Sequence, residues 1–411
     1  MRILLSEGSS TSAREAITAL AMGGHEIEVC DPNPYCLGRF SRFVGKFHRC
    51  PGLRDRPLAY LSFVQDLLSR RRFDVLLPVH EQGYLFAAAQ EQLAALVHVA
   101  LPSFESYRHA HNKAGFHALL KELDLPQPRT QFVANAGQLA DISRFPNVVK
   151  TAIGTASRGT WLVKSSADLA AASAELQSAG GFDGTVLVQD FVSGEVEHAQ
   201  AVFRRGELVA MHAYRRIVEG IGGGDAIKDS VSRPLVESHM RRIGQKLAWH
   251  GALSIDYVLT EAGPFYIDCN PRLVEPMSAW LCGLDLAGLL VQVSCDAKIG
   301  EVPPSRPGVR THLAMLALLG AAERGASRRD ILSECRQLWS RCGPYMNSEE
   351  ELTPVNRDWL SAVPAGMTAL LLITNPGWAG RLAKRGWGNH LLTLKAMRII
   401  ESEVVPNLSP S

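Results

Sequence analysis

The first hundred residues alternate short apolar runs with longer stretches of helical spacing. The pattern predicts strands at 2–5, 25–30 and 73–79, and helices at 12–23 and 58–71. Such a strand–helix–strand rhythm is typical of a small parallel sheet with helices on both faces. The loop after the first strand reads GSSTSAR and lacks the G-x-G-x-x-G spacing of a dinucleotide site. We therefore expect an α/β domain over residues 1–105 and no NAD site.

The middle of the chain changes to strands joined by short glycine-containing turns. A helix predicted at 106–125 ends before Pro126 and Pro128. The strands that follow read NVVKTAIG, TWLVKSS, TVLVQDF, VEHAQAVF and ELVAMHAY, and a helix at 236–249 precedes the strands ALSIDYVL and PFYIDCN. This pattern indicates a mixed α+β fold.

A proline-rich segment, VPPSRPG, opens a third region at about residue 301. Ser327 followed by Asp330 has the spacing of a capping box and predicts the start of a helix. The remainder predicts a mostly helical region. Tyr345, Asn347 and residues 349–351 are candidates to cap a substrate pocket, although a loop before a helix explains them equally well.

Composition excludes several classes of protein. Apolar residues make up 46% and charged residues 20%, and the net charge of +2 provides no electrostatic footprint for nucleic acid or an anionic membrane. We find no apolar run long enough to span a bilayer. The start, MRILLSEG, has a strand pattern and not that of a signal peptide, so we expect a cytoplasmic protein. The eight cysteines form no C-x-x-C pair and predict no zinc site.

The strands ALSIDYVL and PFYIDCN flank a short turn, and closing that turn as a hairpin sets Asp256 opposite Asp268. Alternation along the strand puts Asn270 on the same face as Asp268. Two carboxylates and an amide oxygen suit Mg²⁺, because this hard cation prefers oxygen ligands. A solvated hairpin face is the alternative interpretation.

Lys150 ends an apolar strand and is followed by a loop that contains Gly154 and Gly159. Glycines let backbone N–H groups approach a phosphate closely, and a lysine supplies a point charge. The segment lacks the G-K-[ST] of a P-loop, and a plain glycine-rich hairpin also fits it.

The order of these pieces resembles the ATP-grasp superfamily, in particular its carbamoyl-phosphate-synthase-like branch. The resemblance covers residues 1 to about 300. The matching positions are Asn112 and Lys113, Lys150, the loop from Gly154 through Ser157 to Gly159, the hinge Gln189, Asp190, Phe191 and Val192, then Glu197 ahead of Gly206, Asp256, and the closing motif with Asp268, Asn270 and Arg272.

The resemblance implies the fold and the role of each position. We expect a Rossmann-like pre-ATP-grasp domain at 1–105, an ATP-grasp core at 106–300 with lobes at 106–184 and 185–300, and a helical region at 301–411. Lys113, Lys150 and the glycine loop would bind the phosphates of ATP, the hinge would bind adenine, and Glu197 would bind ribose. Asp256, Asp268 and Asn270 would hold Mg²⁺, with Mn²⁺ as an alternative. The family's closing motif starts with glutamate, so the shorter Asp268 leaves the number of metal ions open.

The implied reaction joins a small-molecule carboxylate to an amine, both of amino-acid-like character, through an acyl phosphate, with release of ADP and phosphate. Lys150 and Arg272 are the catalytic candidates, with Arg272 stabilising the acyl phosphate. Segment 214–234 carries the substrate candidates Arg215, Arg216, Lys228 and Arg233, and its glycine tract predicts a mobile lid. For His80, with its neighbour Glu81, and for His198, a structural role is favoured.

Other interpretations stay open. A carboxylase of the same fold would act on bicarbonate, although the cation-rich segment favours a larger substrate. A thiol or hydroxyl acceptor, and a non-catalytic ATP-binding regulatory protein, are further alternatives. Members of the family are often dimers, so a homodimer is also an option.

Overall fold

The computed structural model describes residues 1–154, 159–384 and 390–405. The N-terminal part has the predicted parallel sheet, with the strand order β3-β2-β1-β4. Apolar side chains of its central strands, such as Ile3 and Leu5, are fully buried against the first helix. Its elements are β1 (Arg2–Leu5), α1 (Thr11–Met22), β2 (Glu26–Asp31), β3 (Val44–Arg49), α2 (Pro57–Arg70), β4 (Val75–Leu77), α3 (Gln82–Ala88) and α4 (Gln90–Ala94).

The single helix predicted at 106–125 is two helices, α5 (Phe104–His111) and α6 (Lys113–Glu122). Asn112 between them has an extended backbone, and its side chain accepts hydrogen bonds from the N–H groups of Ala114 and Gly115. A side-chain cap of this kind starts a new helix. It makes Lys113 the first residue of α6.

A four-stranded sheet follows, with the order β5-β8-β6-β7. Its elements are β5 (Thr130–Val133), α7 (Ala136–Ala140), β6 (Asn147–Thr151), β7 (Thr160–Val163), α8 (Ser166–Ser178) and β8 (Val186–Asp190). Because β8 pairs with both β5 and β6, the division between the two lobes falls after residue 190 and not at 184. The predicted hinge is therefore the link between two sheets.

The second half of the core continues the mixed pattern. Its elements are β9 (Glu195–Arg204), β10 (Glu207–Glu219), β11 (Asp225–Val231), α9 (Pro234–Lys246), β12 (Gly251–Thr260), β13 (Gly263–Asn270), α10 (Pro276–Leu281) and α11 (Leu286–Ser294). The segment at 214–234, expected to be a loop and lid, is largely the hairpin of β10 and β11. Gly222 and Gly223 have φ of +61° and +81°, so here the glycines make a tight turn between paired strands.

The C-terminal region is mostly helical, as predicted, but it also contributes two strands. Its elements are β14 (Arg310–His312), α12 (Ala314–Glu323), α13 (Arg328–Ser340), β15 (Ser348–Glu350), α14 (Ala362–Thr374), α15 (Ala379–Lys384) and α16 (Leu394–Glu403). The predicted capping box of Ser327 and Asp330 starts α13. The larger sheet has the order β13-β12-β9-β10-β11-β14-β15, so it crosses the boundary expected at residue 300.

A buried ion pair joins the C-terminal region to the N-terminal domain. Arg14 of α1 lies 2.8 Å from the Asp358 carboxylate, and both side chains are at most 1% exposed. Ser41 also donates a hydrogen bond to Asp358. Within the described ranges, no helix combines the length and the apolar character needed to cross a membrane.

We expect Asp358→Asn to lower the free energy of unfolding by about 3–5 kcal/mol, because it leaves the Arg14 charge buried without its counter-ion. Urea denaturation of the full chain measures this loss. Asp296→Asn is the control, since its ion pair with Arg205 is exposed and is worth at most about 1 kcal/mol. Equal effects of the two substitutions would contradict the role of the buried pair.

Candidate active site

Two lysines from the first half of the core contact the hairpin of β12 and β13 in the second half. Lys113 Nζ donates to the carbonyl of Gly154 at 2.7 Å and lies 3.2 Å from the Asp268 carboxylate. Lys150 of β6, buried at 7% exposure, donates to the carbonyl of Ile267 at 3.0 Å. The structure thus brings both predicted phosphate-binding lysines to β13.

Burial lowers the pKa of Lys150 to about 8, which the charge of Asp268 partly offsets and the charge of Lys113 reinforces. A lysine with such a pKa changes its charge just above neutral pH. The electrostatic state of this site is therefore sensitive to mildly alkaline conditions.

The two predicted metal-binding carboxylates lie opposite each other. Asp256 of β12 pairs in register with Asp268 of β13, as the turn between the strands predicts. Both side chains are about one quarter exposed, and Asn270 Nδ2 lies 3.5 Å from Asp256. Two accessible carboxylates beside an asparagine side chain, which also carries an oxygen, fit the ligand preferences of Mg²⁺.

His198 of β9 lies next to Asp256 on the same face of the sheet. Its Nδ1 lies 2.7 Å from Asp256, and its Nε2 lies 3.1 Å from Asp225. Burial acts to lower the pKa of His198, but the two carboxylates outweigh it and raise the pKa to about 10. His198 is thus a protonated partner of a predicted metal ligand. From the sequence we expected His198 to point to the face opposite Glu197, but we did not predict its contact with Asp256.

Glu197 does not join the other predicted residues. It pairs in register with Tyr257 and Arg215, whereas its neighbour His198 pairs with Asp256, so Glu197 points to the opposite face of the sheet. Its side chain is fully buried, and its oxygens accept hydrogen bonds from Arg233 and Tyr257. This enclosed position argues against the ribose-binding role expected from the sequence.

Each of the four predicted substrate cations has an acidic partner. Arg216 and Lys228 pair across β10 and β11 and share the face of His198, while Arg215 and Arg233 lie with Glu197 on the opposite face. Two of the four therefore lie on the same face of the sheet as His198 and Asp256. The ion pairs are Arg215 with Asp229, Arg216 with Asp225, Lys228 with Glu275 and Glu351, and Arg233 with Glu197.

Lys228 is the centre of a buried cluster that includes the C-terminal region. Its Nζ contacts Glu275, lies 2.8 Å from Glu351 and sits 4.8 Å from the centre of the Tyr214 ring. Burial raises the pKa of Glu351 to about 7, against the attraction of Lys228. Burial also raises the pKa of Glu15, which faces the same cluster. Glu351, one of the residues suggested to cap a substrate pocket, is thus part of this buried cluster.

The predicted phosphate loop is described at its two ends. Gly154 accepts the hydrogen bond of Lys113, and Gly159 has a φ of +74°. A Cβ atom at Gly159 would lie 2.3 Å from the Thr151 hydroxyl, so this position requires glycine. Ser157 lies outside the described residues.

The predicted adenine hinge, residues 189–192, connects the smaller sheet to the larger one. Gln189 is buried and donates to the Thr130 hydroxyl at 3.1 Å, and Phe191 is 44% exposed. Asp190 is exposed and ends β8, and Val192 follows in the link to β9. The hinge therefore carries an accessible aromatic side chain at the junction of the two sheets.

Arg272, 9% exposed, lines a cavity between the core and the N-terminal domain. His80 and Glu81, which follow β4, line the same cavity as Lys113. The lining comprises His80, Glu81, Tyr107, His111, Lys113, Gly154, Cys269, Asn270, Pro271 and Arg272. His80 and Glu81, for which the sequence favoured a structural role, thus lie next to the predicted phosphate-binding groups.

No family model matches the chain. The carbamoyl phosphate synthase large chain of Rubrobacter xylanophilus is 24% identical over 278 residues, which are 63% of this chain and 25% of that protein. The chain thus spans about a quarter of the length of the curated relatives that it matches.

Solved structures show the same fold. The biotin carboxylase domain of Hydrogenobacter thermophilus 2-oxoglutarate carboxylase, in complex with MgADP, ADP and bicarbonate, has a TM-score of 0.60 at 13% identity, covering 75% of this chain and 73% of that one. The L-amino acid ligase of Bacillus licheniformis has a TM-score of 0.56 at 14% identity, with coverages of 74% and 77%. All of these relatives are ATP-grasp enzymes. The chain has the ATP-grasp fold and is similar in sequence to carbamoyl phosphate synthase large chains.

We expect Glu351→Gln to flatten the dependence of stability on pH. Glu351 binds its proton more tightly in the folded chain, so its contribution to stability is lost as pH rises from the usual value of 4.5 towards about 7. Removing this group should reduce the slope by up to about 1.4 kcal/mol per pH unit. Urea denaturation between about pH 5 and 8 measures the slope.

Glu349→Gln is the matched control, because Glu349 is half exposed and pairs with Arg357. Glu15 remains in both variants, so some slope should persist. An unchanged slope in Glu351→Gln would show that this carboxyl does not titrate between the two limits.

Proposed function

We propose that the protein is an ATP-dependent carboxylate–amine ligase that forms an amide or peptide bond through an acyl phosphate and releases ADP and phosphate. The observation that carries the proposal is the meeting of Lys113 and Lys150 with the hairpin of Asp256 and Asp268. Lysines on one side can bind the phosphates of a nucleoside triphosphate, and carboxylates on the other side can bind its metal ion. The fold of the L-amino acid ligase supports amino-acid-like substrates.

In this proposal the nucleotide lies between the two sheets. Residues 189–192 hold adenine, and Lys113, Lys150, Gly154 and Gly159 bind the phosphates. Asp256, Asp268 and Asn270 would hold Mg²⁺ or Mn²⁺, and the metal ion would neutralise charge on the phosphates. The position of Glu197 leaves it outside this assignment.

The two lysines act in the first step, the transfer of the γ-phosphoryl group to the substrate carboxylate. The substrate carboxylate attacks the γ-phosphorus, and Lys113 and Lys150 stabilise negative charge on the transferred group. Arg272, beside Lys113 in the same cavity, stabilises the acyl phosphate that forms. An amine then displaces phosphate and completes the amide bond.

Release of ADP and phosphate from MgATP tests the proposal. Pools of amino acids, other carboxylates and amines are screened with the full chain, and active wells are analysed by mass spectrometry. We expect turnover to require both a carboxylate and an amine, with a product of their summed mass less water. Asp268→Asn is the inactive control for contaminating ATPases. Nucleotide binding without turnover in any pool would instead favour a regulatory protein.

A bicarbonate-using carboxylase is the second candidate function. The cation-rich segment had favoured a larger substrate, but all four of its predicted cations are paired with acidic side chains. The related biotin carboxylase domain was solved with bicarbonate. Turnover that needs bicarbonate and no organic carboxylate would select this function in the same screen.

We expect the affinity for MgATP to fall as pH rises through about 8, because the phosphates bind the protonated form of Lys150 and a neutral lysine loses this attraction. Lys150→Arg should remove the pH dependence, since arginine stays charged, and Lys150→Met should bind weakly at every pH. Titration with a fluorescent ATP analogue measures both effects.

Lys121→Met is the matched control, because Lys121 is exposed on the same helix as Lys113 and should leave the affinity and its pH profile unchanged. A wild-type affinity that does not vary between about pH 7 and 9 would contradict the assignment of Lys150.

A further inference from the structure

Two segments of the chain contain no acidic residue. Residues 32–54 and residues 359–400 each carry five lysine or arginine side chains and no aspartate or glutamate. Because the net charge of the whole chain is only +2, the rest of the chain is net acidic. The overall charge therefore averages two basic segments with an acidic remainder, and a local positive field can attract an anionic partner.

The fold brings the two basic segments into contact. The backbone N–H of Arg42 donates to the Asp358 carboxylate at 3.0 Å, and Arg42 Nε donates to the carbonyl of Arg357 at 3.0 Å. His390 Nε2 lies 3.0 Å from the carboxylate of Asp31. Each basic segment thus contacts the residue that precedes the other.

Helix α14, in the second basic segment, has an apolar face that is open to solvent. Its sequence, AVPAGMTALLLIT, contains no charged residue, and one side of it, with Leu372, is buried against α12 and α13. On another side Val363, Met367 and Leu370 are exposed, the last two at 56% and 65%. Their spacing of four and three residues places them on one face of the helix. Trp359, three residues before the helix begins, is 64% exposed.

The first basic segment forms a groove close to this helix. Leu37–Phe40 lies against α14, and the groove, of about 300 Å³, is lined by Arg39 and residues 44–47. The side chains of Arg39, Arg42 and Lys46 are exposed, and none of them forms an ion pair with another described residue. In contrast to the paired cations of β10 and β11, they can therefore bind an external anion without displacing an acidic partner.

The combination of unpaired cations and an apolar helix face narrows the kind of partner. A second copy of the chain would bring like charges together on this surface, which is unfavourable. A soluble polyanion would bind the cations but leave the apolar face of α14 in water. A bilayer with anionic lipids satisfies both, because apolar side chains enter the acyl boundary while lysine and arginine reach the headgroup phosphates.

We infer that this surface binds the protein peripherally to membranes that contain anionic lipids. The exposed face of α14 enters the boundary between headgroups and acyl chains, with Trp359 at the level of the headgroups. Arg39, Arg42 and Lys46 bind lipid phosphates. The inference goes beyond the proposed reaction, since none of these residues belongs to the proposed active site.

Flotation of the full chain with lipid vesicles tests the inference. Vesicles of phosphatidylcholine alone are compared with vesicles of phosphatidylcholine and phosphatidylglycerol, at low and at high concentrations of sodium chloride. We expect binding to the anionic vesicles only, and we expect high salt to weaken it, because mobile ions screen the attraction between exposed cations and lipid phosphates. Equal binding to both kinds of vesicle, or binding to neither, would overturn the inference.

Arg39→Glu combined with Lys46→Glu tests the basic groove. We expect the double variant to bind anionic vesicles at least about 10-fold more weakly, because each cation near an anionic surface contributes to the attraction. Arg72→Glu combined with Lys121→Glu is the matched control, since both side chains are exposed and lie in neither basic segment. An equal loss in the two double variants would show that only the total charge matters, against the assignment of this surface.

Leu370→Asn tests the apolar face of α14. We expect it to weaken binding to anionic vesicles by about 10-fold, because the asparagine side chain gains nothing from leaving water. Leu235→Asn is the control, since Leu235 is similarly exposed but belongs to α9. Thermal unfolding should be close to wild type for both variants. Unchanged binding in Leu370→Asn would contradict the insertion of this face.

Two further outcomes would identify a different partner and overturn the inference. Self-association of the wild type without lipid, lost in Leu370→Asn, would show by analytical ultracentrifugation that the face joins two copies of the chain. Binding of polyglutamate as tightly as anionic vesicles, with no effect of Leu370→Asn, would indicate a soluble acidic macromolecule. These measurements do not depend on turnover, so the proposed function is tested separately.

Discussion

The contact between Lys113 and Asp268 is the interaction on which the geometry of the site depends. It joins the first residue of α6 to β13, and Lys150 makes a second link from β6 to the backbone of the same strand. Both links pair a cation with an oxygen of the opposite element. They hold the proposed phosphate-binding lysines against the proposed metal ligands, and they neutralise part of the charge that Asp256 and Asp268 place opposite each other.

The need to neutralise buried charge also joins the C-terminal region to the core and to the N-terminal domain. Lys228 of β11, a strand of the larger sheet, is balanced by Glu351, and Arg14 of the N-terminal domain is balanced by Asp358. Isolated charges in such positions would be strongly unfavourable, so each element is stable there only with its partner. The addition of β14 and β15 to the larger sheet supplies the backbone for this arrangement.

Local patterns predicted the parts of the fold whose partners are close in sequence. The pairing of Asp256 with Asp268 followed from a short turn and alternation, and the capping box predicted the start of α13. Asn112 is a typical N-cap residue, so the start of a new helix at Lys113 could have been predicted. We instead predicted one continuous helix there. The glycine tract at 222–224 was interpreted as mobility, although alternating strands on both sides also fit a hairpin turn.

Contacts between distant parts of the chain could not be predicted in this way. Glu351 is 123 positions from Lys228, and Glu81 is 311 positions from Leu392, and no local pattern connects either pair. For Glu197 the sequence was insufficient for a different reason. The spacing between Glu197 and Gly206 is the same as in the ATP-grasp family. The register of β9 against β12 decides which face of the sheet Glu197 occupies, and that register is a property of the folded sheet.

The pairing of every predicted substrate cation also changes where a substrate carboxylate can be recognised. A carboxylate that approached Arg216 or Lys228 would compete with an acidic group already held at hydrogen-bond distance. Displacing such a partner would leave a buried carboxylate without its counter-ion, and that loss offsets the gain from the new ion pair. The hairpin of β10 and β11 is therefore an unfavourable place for a substrate carboxylate to bind.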